Sequence, residues 1–195
     1  GMNLENMISQ SLENESYRLA GIGYAIKAFD WDMLTKLHGD IPMKQAYEPG
    51  RLSHDYDYQD EVYTQVREWA ETAIEYLEME DNTDYGNRLK DADLMYGGDA
   101  AKWIKFAHSV IVRNLSSLTN KNNFASDYAQ MLIDHAALAF TSNNRNAKVM
   151  NPDSVTIDVY NNFKRAHATK HTGNGCGHIH ISQYVFFNNF CRLYK

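Results

Sequence analysis

Apolar residues recur along this chain at steps of three and four, the spacing of one face of an α-helix. Four such stripes stand out. The first is Ile22, Ile26, Phe29, Met33 and Leu37, in a helix that reaches back through Tyr17 and Leu19 toward residue 14. The second is Val62, Val66, Trp69, Ala73 and Leu77, with Asp57 placed to cap its first turn. The third, Trp103, Phe106, Ala107, Val110, Ile111 and Leu118, begins after Gly97-Gly98-Asp99. There the Asp99 carboxylate can accept a bond from a free backbone N–H and complement the helix dipole. The fourth is Phe124, Tyr128, Met131, Leu132, Ala136 and Ala139, capped by Asn122 or Asn123. Amphipathic helices separated by loops predict an all-α fold of antiparallel helix pairs. No residue-level repeat of about 34 positions is legible, so a tetratricopeptide-like array is expected from shape alone.

The breaks between stripes have their own signals. In LHGDIPMKQAYEPG, residues 37–50, Gly39 suits the left-handed conformation that ends a helix near His38. Pro42 then forbids resumption and pushes Ile41 to an extended geometry. Gly21 and Gly23 inside the first stripe cost about 1 kcal/mol each relative to alanine, so a closely approaching neighbour is expected there. Beyond about residue 142 the helical signals fade. TSNNRNAKVMNPDS reads as loop, SVTIDVY as a short strand, and the last 30 residues as an irregular tail.

Composition narrows the function classes. With 195 residues the chain is one domain in size, and at 44% hydrophobic it is able to build a core. A formal charge of −6 argues against a nucleic-acid partner, which would meet a basic face. Cys176 and Cys191 allow one disulfide at most and leave the redox compartment open. No apolar run is long enough to span a membrane. No secretory signal is visible, and Gly1 before Met2 reads as a tag remnant.

Candidate chemistry is sparse. His171, Cys176, His178 and His180 lie close together in the tail, and thiolate with imidazole suits zinc, but their spacing is not that of a standard finger or ribbon. An irregular tail with incidental histidines is the simpler account, and no metal site is expected. Asp30 with Asp32, Asp55 with Asp57, and Asp91 with Asp93 read as solvated faces, caps or loop residues rather than a glycosidase pair. No Gly-x-Ser-x-Gly and no nucleotide-binding glycine pattern occurs, so neither an enzyme nor a cofactor is implied.

Two stretches carry a family resemblance. AIKAFDWDMLTKLHGDIPMKQAY, residues 25–47, resembles the helix and Gly-Asp-Ile-Pro turn of the SusD/RagB-like outer-membrane lipoproteins of Bacteroidetes, through Thr35, Leu37, Gly39, Asp40, Ile41, Pro42 and Ala46. DADLMYGGDAAKWIKFAHSVIVRNLSSL, residues 91–118, is similar to a second motif of that family. Asp93, Tyr96, Gly98, Asp99, Lys102, Trp103, Lys105, Phe106, Ala107, Ser109 and Arg113 match in order, and His108 stands where asparagine is usual. The resemblance spans about residues 14–145. It implies tetratricopeptide-like helix pairs and a lipid-anchored, non-catalytic cell-surface protein. Such a protein captures glycans or other nutrients for a TonB-dependent, SusC-like transporter. The family pattern is much longer, so the chain reads as a truncated member. Residues 1–145 are its helical core, and 146–195 are either a non-native tail or an incomplete remainder. Stacking platforms for sugar rings are expected at Tyr47, Tyr56 and Tyr58, in the loop before the second helix. The alternative is a helical interaction scaffold without a glycan site of its own.

Overall fold

The computed structural model describes residues 2–141. The strand expected at SVTIDVY and the tail histidines and cysteines lie outside these residues. The described residues fall into two units, one of residues 2–84 with 98–141 and one of residues 85–97. The described residues are helical, as the stripes predict. In chain order the helices are α1 (Met2–Glu13), α2 (Tyr17–His38), α3 (Gln59–Glu78), α4 (Arg88–Ala92), α5 (Ala100–Ser116), α6 (Phe124–Asp127) and α7 (Ala129–Leu138). None is long and apolar enough to cross a membrane.

In the first unit α2 is the central element, packed by α1, α3 and α5, while α3 also packs on α5 and α5 on α7. Helices come in packed pairs, in agreement with the expected all-α array. Three neighbours leave α2 little solvent face, so Leu19, Ile22, Ala25, Ala28 and Trp31 are buried along it. Both α2 glycines face a neighbour, as their cost predicted. A Cβ on Gly21 would lie 2.6 Å from Leu77 Cγ and 2.9 Å from the Ala73 carbonyl oxygen. One on Gly23 would meet Ile8 Cγ1 at 2.6 Å. That second neighbour, α1, has no counterpart among the four stripes, although Leu4, Met7, Ile8 and Ser11 form its buried face.

Two stripes need correction. The first drifts off the core at its end, where Leu37 is 59% exposed while Asp32 and Thr35 are fully buried, so the buried face there runs through other positions. The fourth is not one helix. Tyr128, at φ −128°, separates α6 from α7, and neither short helix has a fully buried residue. The second stripe holds, and the third holds as far as Ile111, with Val62, Val66, Ala73, Trp103, Ala107 and Ile111 all buried, while Leu118 lies past the end of α5. Asp99 caps α5 as expected, accepting the Lys102 N–H at 3.1 Å. In the second unit, α4 leads into a turn where Asp93 Oδ1 accepts the N–H groups of Met95 (3.0 Å) and Tyr96 (3.1 Å).

Candidate functional site

The segment between α2 and α3 is a fixed loop. The Gly39 N–H closes α2 on the Thr35 carbonyl at 2.8 Å. Its φ of 77° with ψ −125° is not the left-handed helical geometry expected, but a region that glycine alone reaches easily. Ile41, held extended by Pro42, exchanges two backbone bonds with Asp57, at 3.2 and 3.0 Å. Asp57 therefore does not cap α3. Its Oδ2 accepts the N–H groups of Met43 and Lys44, both at 2.8 Å, and its Oδ1 lies 3.3 Å from the Lys44 ammonium. Partial burial opposes its charge, but those bonds outweigh it and hold the Asp57 carboxyl below the usual range. The cap on α3 comes instead from Asp40, whose Oδ1 accepts the Gln59 N–H at 2.8 Å. The Gln59 side chain in turn donates to the Thr35 carbonyl at 2.7 Å. One turn thus satisfies the end of α2 and the start of α3 together.

The three predicted tyrosines all sit on this loop, but no ring contact joins them. Tyr56 and Tyr58 are 72% and 71% exposed. They flank Asp57 in an extended segment, so with Asp57 turned inward both project to the opposite, open side. Tyr47 is half-buried, its ring edge-on to Trp31 at 6.4 Å. Burial, with the nearby carboxylates of Glu5 and Asp30, pushes its hydroxyl pKa up. Ala46, Ile41, Pro42, Leu34, His54 and Trp31 line an apolar hollow of about 280 Å³ beneath the loop.

Met43 and Lys44 also form one wall of a larger groove of about 480 Å³. Its floor is the α3 face carrying Thr64, Arg67 and Glu68, and its far wall is Lys121, Asn123 and Tyr128. Sequence periodicity overlooks this groove because most of its lining, such as Lys44, Thr64, Glu68, Lys121 and Asn123, is polar and lies off the stripes. Arg67 is buried and fixed: its guanidinium lies 5.5 Å from the Tyr128 ring centroid, and it donates to Asn114 Oδ1 at 2.8 Å and Thr64 Oγ1 at 3.1 Å. Asn114 passes the contact on to Asp32 at 3.0 Å. Asp32 is not a solvated carboxylate, as its sequence neighbourhood suggested. It is fully buried and pairs with Lys36 at 2.7 Å and with the motif residue Arg113 at 3.3 Å. Burial lowers the Lys36 pKa, with Asp32 opposing that shift.

The groove therefore offers amide, hydroxyl, ammonium and carboxylate groups with a fixed arginine and a tyrosine ring. Groups of these kinds are able to exchange hydrogen bonds with hydroxyl-rich molecules. Among the described residues no cluster of three or more His, Cys, Asp or Glu side chains could hold a metal.

Comparison with known proteins agrees with this fold. A SusD-like family model, described as "Starch-binding associating with outer membrane", matches residues 2–179. A SusD/RagB family protein from Bacteroides thetaiotaomicron superposes with a TM-score of 0.69 and 28% identity, over 85% of this chain and 34% of its own. A SusD homologue from Bacteroides uniformis gives a TM-score of 0.64 and 25% identity, over 76% of this chain and 30% of its own. The chain thus spans about a third of the length of these solved relatives. No curated protein matches it. The match reaches beyond residues 14–145 at both ends and takes in α1. The chain belongs to the SusD-like family.

Proposed function

We propose that this chain is a non-catalytic glycan-binding protein of the cell outer membrane. It presents polysaccharide or oligosaccharide to a TonB-dependent SusC-like transporter and is attached through a lipid anchor. The carrying observation is one loop that holds Tyr56 and Tyr58 open to solvent while its Met43–Lys44 arm walls a polar groove. Exposed rings stack on the apolar faces of sugars, and the groove's mixed charges satisfy hydroxyls without demanding a charged ligand. Tyr47 contributes by bracing the loop against Trp31. The family's description supports the same reading.

The test is affinity electrophoresis of the purified chain in gels containing a panel of plant and host polysaccharides. At least one polymer retards the chain. Tyr56→Ala/Tyr58→Ala weakens that retardation at least about tenfold, the scale of losing an aromatic anchor. Retardation unchanged in the double variant moves the site away from the loop. A helical interaction scaffold is the second reading, favoured by Leu34, Leu37, Ile133 and Leu138 standing exposed. A concentration-dependent dimer in sedimentation, with no polymer bound, selects it.

A further inference from the structure

Helix α7 is weakly held. It has ten residues, too few to be stable alone, and none of them is fully buried. Among the described residues, one side-chain hydrogen bond joins it to another helix: His108 Nδ1 on α5 meets His135 Nδ1 on α7 at 2.8 Å. The rings are tilted at 47°, with centroids 5.1 Å apart. We propose that this histidine pair is a pH-operated clasp, closed near neutrality and opened by acid, that sets whether α7 stays docked on α5.

The chemistry follows from the proton count. With both rings neutral, one Nδ1–H donates to the other Nδ1 lone pair. With one proton added, an imidazolium donates to a neutral imidazole and the contact survives. With two, both Nδ1 atoms carry hydrogens and both rings carry charge, so the contact becomes repulsive. Burial lowers the His135 pKa, and Glu71 from α3 and Asp134 from α7 itself oppose that shift without overturning it. Among the described residues, α2, the other neighbour of α5, contributes no charge to either ring. Burial of His108 and the facing ring oppose the second proton. The clasped form therefore binds fewer protons than the released form, and it weakens as pH falls below the ordinary histidine value of about 6.5. Tyr128 immediately precedes α7, so release also frees the ring that lies against Arg67 and takes one wall from the groove.

Hydrogen exchange of the α7 amides in the full chain, corrected for intrinsic rates, tests the clasp. A difference of one proton predicts that opening rises about tenfold per pH unit below about 6, while the core of α3 stays protected. His135→Gln, at a partly exposed position that tolerates the change, removes this slope, as does His108→Asn. A protection profile flat from pH 7 to 5 in the unsubstituted chain overturns the proposal. An equal slope in the unsubstituted chain and in His135→Gln overturns it too. Glycan binding plays no part in the readout, so failure of the clasp is separable from failure of the binding proposal.

Discussion

Asp32 and Asp30 are two positions apart on α2 and meet opposite environments. Asp32 is enclosed with Lys36, Arg113 and Asn114, so its removal strands two cations around a buried amide. Asp32→Ala is expected to cost about 2–3 kcal/mol in chemical denaturation. That is below the 3–5 kcal/mol of a wholly buried pair, because Lys36 and Arg113 both retain some access to water. Asp30 lacks such partners: its Oδ1 is shielded from water without a hydrogen bond. Burial raises its pKa from 3.8 to about 7. The sign is that of a raised acid: its protonated form is favoured in the fold, and stability is lost as pH rises from about 4 through about 7. Asp30→Asn should remove that loss and raise stability at pH 8 by on the order of 2 kcal/mol, since the side of Asp30 open to water relieves part of the shift. Equal denaturation midpoints for the two proteins at pH 8 would contradict it. Nothing in the sequence separates these carboxylates. Their difference depends on which helix lies opposite, and that is decided only when α5 brings Asn114 and Arg113 to Asp32.

At the scale of elements, capping shows the same limit. Asp99 was readable as a cap because its partner, Lys102, is three residues away. The caps of α2 and α3 are not local. Asp81, beyond the end of α3, accepts the Arg18 N–H at 2.7 Å, and Asp40 serves Gln59 from the preceding turn. Such caps follow from helix pairing, and a scan for residues just before a stripe misses them; it selects Asp57, which fastens the loop instead. Asp40→Ala should therefore loosen the start of α3 and the loop together, costing about 1 kcal/mol. Hydrogen exchange of residues 40–60 should rise while that of α5 does not. The glycines of α2 were legible as close approaches, but not what approaches them. Gly21→Ala meets backbone at Ala73 and should destabilise by about 1–3 kcal/mol despite the gain in helix propensity. Gly23→Ala meets the side chains of Ile8 and Met7 and should cost less. The break at Tyr128 was invisible for a plain reason. The apolar spacing continues across it, and only the three-dimensional path turns.

At the scale of the molecule, the helices serve to hold one loop and one groove. The Gly-Asp-Ile-Pro turn, which the sequence presents as an abrupt helix stop, is the joint of that assembly. Gly39 ends α2, Asp40 starts α3, Ile41 pairs with Asp57, and the tyrosines flanking Asp57 are turned to solvent. Family membership was readable from two motifs whose residues prove mostly architectural, with Trp103 and Phe106 in the core and Arg113 on Asp32. The groove was not, because solvent-facing positions lack the periodicity that marks a core. The most direct test is a hydrogen-exchange footprint of the full chain with each polysaccharide of the panel. Binding as proposed protects residues 43–68 and 118–128 with at least one polymer and leaves α1 unchanged. Protection confined to other helices, or none with any polymer, would contradict the assignment of glycan binding to this loop and groove.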